Sequence, residues 1–188
     1  MQNAQAVGGY LTLPQKTQVA GRLSHRRSTI IDDEFLLTLF GESRPELALL
    51  PEALRPALTR MQFDSQLGQY RSSAPDAVDW ILELDIHGRT ERVGRCYVRQ
   101  GPQEHRLLDL AIRCQWRRHG LAGSVLAWLC AGAAEAGVPL RLSVWHANHE
   151  ALRLYHRHGF VVDDADHEGD VPELAGYRQL HWSSGAAR

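Results

Sequence analysis

Cysteine is scarce in this chain. Cys96, Cys114 and Cys130 are the only three in 188 residues, and their spacing matches no metal-binding pattern. An odd, sparse set fits reduced thiols in a cytosol better than a disulfide framework. Long apolar runs are missing too: none approaches the roughly 20 residues that cross a bilayer. The opening stretch, MQNAQAVGGYLTLPQKTQ, has no basic start, no apolar centre and no small-residue cleavage site. The expected location is therefore cytoplasmic. Neither sign of charge is in excess. A net charge of −1 gives no global field to recruit nucleic acid or a membrane surface, and neither is expected as a partner. Lysine is almost absent: every one of the 21 basic residues except Lys16 is an arginine. Codon bias produces such a skew, and arginine also suits planar contacts to anions.

What is present is an ordinary globular composition, 44% hydrophobic and 23% charged, at a length that suits one domain. Residues 1 to 19 read as a polar tail, residues 20 to 182 as a single domain and residues 183 to 188 as a second tail. A short basic strand is expected over Arg22 to Arg27. Asp32 or Asp33 can cap the helix that follows, in which Phe35, Leu36, Leu39 and Phe40 have helical spacing. Pro56 can sit near the start of a second helix, with Leu58, Met61, Leu67 and Tyr70 as its apolar side. Val78, Trp80, Leu82, Leu84 and Ile86 then alternate with mostly polar neighbours, as a half-buried strand does. HGRT turns the chain, Val93 to Arg99 return, and HRLLDLAIRC makes the third strand of an antiparallel meander. Leu121, Val125 and Leu129, with Trp128 on the flank, predict a helix that Gly137 and Pro139 end. A central strand LRLSVW, a helix HEALRLYHRH capped by Asn148, and strands GFVV and GYRQLHW complete the order. That order belongs to an α/β or α+β domain with a mixed sheet.

The unusual stretch is WRRHGLAG, residues 116 to 123, which lies between a strand and a helix. The first N–H groups of a helix lack internal partners, and its dipole places roughly half a positive charge there. Gly120 and Gly123 remove side chains that would keep a phosphate from those amides, and Arg117, Arg118 and His119 add donors. Neither G-x-G-x-x-G nor G-x-x-x-x-G-K-[ST] occurs, so any such socket is of another kind.

A strand, then QWRRHGLAG, then an Ala/Leu helix resembles the acyl-CoA pyrophosphate loop of the GCN5-related N-acetyltransferases. Its pattern (Q/R)-x-x-G-x-(G/A) falls on Arg117, Gly120 and Ala122. Further on, NHEALRLYHRHGF matches that family's N-x-x-A-x-x-L-Y-x-x-x-G-F on Asn148, Ala151, Leu154, Tyr155, Gly159 and Phe160. The resemblance implies the family's mixed, largely antiparallel central sheet flanked by helices. It implies acetyl-CoA as cosubstrate, held at the backbone of Arg118 to Gly123, Leu121 and Ala122 included, with Arg117, Leu110, Ile112 and Asn148 as further cofactor contacts. The helical pair from Asp33 to Tyr70 would wall the acceptor site.

The implied mechanism is direct attack of a primary amine on the acetyl thioester in a ternary complex, with Tyr155 giving a proton to the departing thiolate. An amine of pKa about 10.4 is only about 0.04% neutral at pH 7, so freeing its lone pair costs about 4.6 kcal/mol and a base is wanted. The positions where relatives carry a glutamate fall here on Arg106 and Ser143. Asp109, Glu104 and Glu83 are the nearby carboxylates, and Asp109 is the first choice. The missing glutamates keep open an alternative, a CoA-binding sensor or partner-binding module without catalysis. His146 and His149 straddle a strand end and a cap, and His156 and His158 diverge by about 200° on a helix, so no metal is expected. The acceptor is expected to be a small-molecule or peptide amine. Oligomeric state is addressed only by the base rate that favours a homodimer.

Overall fold

The computed structural model describes residues 10–11, 21–163 and 176–185. Its strands are β1 (Tyr10–Leu11), β2 (Arg22–Arg27), β3 (Val78–Ile86), β4 (Arg89–Gln100), β5 (His105–Ile112), β6 (Leu140–Trp145), β7 (Val161–Val162) and β8 (Tyr177–Trp182). The α-helices are α1 (Asp33–Glu42), α2 (Arg55–Ser73), α3 (Leu121–Ala136) and α4 (His149–Arg157). The strands form one sheet in the order β1-β2-β3-β4-β5-β6-β8-β7. Every neighbouring pair is antiparallel except β5 and β6. The expected fold class, a mixed and largely antiparallel sheet flanked by helices, is what forms.

Local chemistry accounts for much of this. The β3–β4 hairpin turns through His87 and Gly88, both left-handed with φ of 52° and 79°, the conformation whose twist matches a two-residue hairpin. Asp85 Oδ1 accepts the Gly88 N–H at 2.9 Å and holds that turn. Alternation along β3 splits the core between the two sheet faces. Trp80, Leu82 and Leu84 pack in the cluster that contains α3 residues Leu121, Val125 and Leu129. Ile81 packs in the cluster of Phe35, Leu39, Phe40 and Phe63 from α1 and α2.

Three sequence expectations change. The apolar side of α2 is rotated: Met61 is 58% exposed, whereas Phe63 is 1% exposed and meets Phe40 edge-on at 5.6 Å. Phe40 on α1 offers the contact that sets the rotation, and nothing in the α2 sequence specifies that partner. Asp32 precedes α1, but its carboxylate makes no cap to that helix. It is spent on Arg26 through two bonds of 2.7 and 2.8 Å, on Arg92, and on the Thr29 N–H and hydroxyl. Of the expected tail over residues 1 to 19, Tyr10 and Leu11 are described and pair with β2; the rest lies outside the described residues, as do residues 186 to 188.

Asp32 is fully buried, and the Arg26 guanidinium above all holds its carboxyl well below the usual range against the opposing effect of burial. A depressed carboxylate contributes stability above its ordinary pKa near 4, and that contribution fades as pH falls toward the folded-state value. Asp32→Ala is expected to cost about 2–3 kcal/mol at pH 7, less than a fully buried pair because Arg26 and Arg92 reach solvent. Denaturant melts at pH 7 and at pH 3 check this. The gap between wild type and variant should shrink at the lower pH.

Candidate active site

The site begins where the sheet opens. β5 and β6 pair in parallel over only three residues, His105 with Leu140, Arg106 with Arg141 and Leu107 with Leu142. Beyond that point β5 follows β4, with Leu108 unmatched in a bulge between the Val98–Leu107 and Tyr97–Asp109 pairs. A bulge adds a residue to one strand and bends it. The unmatched Leu108 carbonyl accepts the Tyr70 hydroxyl of α2 at 3.0 Å. The two strands diverge into a cleft of about 280 Å³ whose walls include Asp109 and Leu110 from β5, Val144 and Trp145 from β6, and Tyr155 from α4. Leu36, Leu39 and Phe40 of α1 and Gln66 and Tyr70 of α2 close its other side, so the helical pair lines this cleft.

Four ionisable groups that line the cleft, Tyr70, Arg95, Asp109 and Tyr155, carry altered affinities for protons, and two of them matter for the chemistry. Burial pushes the Asp109 carboxyl up, against the pull of Arg95, whose Nη1 lies 3.5 Å from Asp109 Oδ2. The Asp109 side chain is 28% exposed, but onto the cleft rather than bulk water, so desolvation dominates. Arg95 is only 3% exposed and spends its fork on Asp79, with bonds of 2.7 and 2.9 Å. Burial also drives the Tyr155 phenol well above its ordinary value, with the charge of Asp109 next in effect and Cys96 after it. The two groups expected to carry chemistry thus face one cleft and feel each other electrostatically. The structure brings Glu104 and Glu83 elsewhere: Glu104 pairs with Arg99, Arg106 and Arg141, and Glu83 pairs with Arg26.

The stretch from Arg117 to Gly123 opens α3. Arg118 and Gly120 are left-handed, with φ of 67° and 83°. Among the described residues, no protein acceptor takes the backbone N–H groups of Arg118 to Gly123; the first helical bond is Ser124 N–H to the Gly120 carbonyl. Six free amides at a helix start fit a diphosphate. The side chains are employed otherwise. Arg117 donates to the carbonyls of Ile112 and Glu42 at 3.0 Å each, so its guanidinium ties the loop down instead of projecting to a ligand. His119 Nδ1 bonds the Arg117 carbonyl at 2.8 Å, Arg118 pairs with Glu150 at 3.0 Å in solvent, and Leu121 is core. Leu110 lines the cleft, Ile112 is buried beside it, and Ala122 packs on the core at the helix start. Asn148 lines the cleft and caps α4, its Oδ1 accepting the Ala151 N–H at 3.1 Å.

Sequence reading missed Glu42. Its carboxylate takes Arg113 at 2.8 Å and the Cys114 N–H at 2.9 Å, which anchors the end of α1 to the segment leading into the loop. Burial pushes Glu42 up, but the Cys114 amide and Arg113 outweigh it and hold the carboxyl below its ordinary range. A glutamate at a helix end carries no local mark of such a partner. Three of the histidines serve as ties between backbone segments, with His146 Nδ1 on the Gly176 carbonyl, His156 on Phe160 and His158 on Leu154. Among the described residues there is no cluster of three or more side chains suited to a metal, and no helix long and apolar enough to cross a membrane.

A run of free helix-start amides and a splayed strand pair are the two features of the site in this α/β domain. Residues 76–162, from the strand before the hairpin through the second motif, match the family described as the acetyltransferase (GNAT) domain. Both motifs, Arg117 to Ala122 and Asn148 to Phe160, fall inside that matched segment, which is similar to the GCN5-related N-acetyltransferases. Solved structures share the fold at low identity. The PaiA N-acetyltransferase of Thermoplasma acidophilum, in complex with coenzyme A, is 16% identical with a TM-score of 0.59, covering 86% of this chain and 98% of that one. The GNAT domain of S. lividans PAT is 17% identical with a TM-score of 0.58, over 94% and 96% of the two chains. An acetyltransferase of Thermus thermophilus is 22% identical with a TM-score of 0.58, over 86% and 96%. No curated protein matches the sequence.

Proposed function

We propose that the protein transfers the acetyl group of acetyl-CoA to a primary amine by direct attack in a ternary complex. The observation that carries this reading is the joint placement of Asp109 and Tyr155 in the cleft where β5 and β6 part. The free amides of Arg118 to Gly123 would hold the pyrophosphate, and Leu110 and Ile112 would flank the arm that enters the cleft. Acetyl-CoA supplies an activated thioester; the remaining work is proton movement by this chain.

Asp109 is suited to take a proton from the incoming ammonium because its desolvated carboxylate is a stronger base than one in water. That proton also neutralises the charge that raises Tyr155. As Asp109 is protonated, the Tyr155 phenol becomes a better acid, at the stage when the thiolate departs and needs a proton. The coupling has the right sign for catalysis. The nitrogen sheds two protons in forming an amide: one replaces the proton that Tyr155 gives up, and one goes to solvent. The glutamate positions fall on Arg106 and Ser143, but a desolvated carboxylate in the same cleft as Tyr155 supports an enzyme over a binding module of the same fold.

Calorimetric titration with acetyl-CoA, beside acetyl-pantetheine without the pyrophosphate, tests the reading. Binding below about 100 μM, roughly −5.5 kcal/mol, is expected for acetyl-CoA and loss of most of it for the truncated compound. Equal affinities would remove the amide cradle from the account. Free-thiol release across an amine panel then separates a transferase from a module that binds without turnover.

A further inference from the structure

Two arginines line the cleft, Arg95 and Arg44, and they differ in one respect. Arg95 is paired with Asp79 and Asp109. Arg44, between α1 and α2, makes no ion pair or side-chain hydrogen bond among the described residues, and its Nε is buried without an acceptor. The guanidinium is not loose: its central carbon lies 4.2 Å from the centroid of the Phe40 ring. Stacking on an aromatic face orients the planar fork and restricts its freedom. A guanidinium held on a ring, facing a cleft and unpaired, is the arrangement that a carboxylate arriving with a ligand would complete.

Arg44 also feels the charge of Asp109 across the same cleft. The wall of the cavity therefore carries both a fixed, unpaired cation and a carboxylate. That polarity complements a molecule with an ammonium at one end and a carboxylate at the other. At about 280 Å³ the cleft must also admit the thioester, which leaves room for a small acceptor.

We propose that the acceptor is a small amino acid-like zwitterion, its carboxylate bound by Arg44 and its amine directed toward Asp109. The proposal rests on the transferase reading above. Arg44 acts here as a specificity determinant; the groups that move protons are others.

The test measures free-thiol release with matched acceptor pairs, α- and ω-amino acids each beside its own carboxamide, in wild type, Arg44→Gln and Arg44→Lys, with acetyl-CoA affinity measured for each protein. Wild type is expected to prefer an acid over its amide by about 10²-fold in kcat/KM, because a site built around a charged partner rejects the analogue that lacks it. Arg44→Gln should reduce that preference to near unity with acetyl-CoA affinity unchanged, and Arg44→Lys should restore part of it. Equal use of acid and amide by wild type, or a preference that survives Arg44→Gln, overturns the proposal. So does the absence of turnover with every pair when acetyl-CoA still binds, an outcome that leaves the cofactor site standing. Failure of acetyl-CoA itself to bind would instead bring down the transferase reading, and this proposal with it.

Discussion

Gly120→Glu is expected to abolish acetyl-CoA binding at concentrations up to millimolar while leaving a folded protein. Two effects act together. The carboxylate would occupy the space in front of the amides of Arg118 to Gly123 and repel the phosphates there. The left-handed φ of 83° at Gly120 also strains any residue with a Cβ. Ala122→Glu separates the two, since position 122 lies inside α3 and carries the same charge without that strain. It should weaken binding by about 10²-fold or more, close to 3 kcal/mol. Gly120→Ala, which keeps the strain and omits the charge, should bind acetyl-CoA far better than Gly120→Glu. Calorimetry on all three, with thermal melts to verify folding, checks the assignment. Near-wild-type affinity in Ala122→Glu would show that the start of α3 does not hold the pyrophosphate.

Tyr155→Phe is expected to lower kcat by about 10²-fold, the range for losing a positioned proton donor, with acetyl-CoA affinity unchanged. The ring contact with Phe160 at 5.6 Å survives the substitution, so folding should be unaffected. Because burial and the charge of Asp109 push the phenol above its ordinary value near 10, Tyr155 stays protonated throughout the neutral range. The wild-type rate should therefore not fall from Tyr155 ionisation until the pH is well above 10, where other events intervene. A loss in the variant that falls on KM or on acetyl-CoA binding, with kcat intact, would make Tyr155 a packing residue.

The limits of β2 and the sites of α3, α4 and the β3–β4 hairpin were readable because their causes are local. Leu121, Val125 and Leu129 repeat at the helical period and become buried on one side of α3. His87 and Gly88 turn because short, polar, flexible residues sit between two alternating strands. Both family motifs were legible for a related reason: a run of amides at a helix start and a capped amphipathic helix are each written in contiguous residues.

The candidate site was legible only by half. Tyr155 and Asp109 could be named from the sequence, but their meeting in one cleft depends on β5 and β6 pairing briefly and then parting. Arg117 shows the converse. Its place in the loop pattern suggested a ligand contact, yet the carbonyls of Glu42 and Ile112 claim its guanidinium. Phe63 and Met61 are two residues apart on α2, and only the presence of Phe40 decides which of them is buried.

The sequence by itself therefore determined the order of elements, the free amides at the start of α3 and the resemblance to an acetyltransferase family. Periodicity, capping and glycine placement act between neighbours along the chain. The tertiary structure alone decided where the sheet opens, which arginines are paired within the protein and which one, Arg44, is left facing the cleft. Those outcomes depend on which distant segments come into contact, and the hydrogen bonds and charges of a side chain are allotted only when its neighbours in space are known.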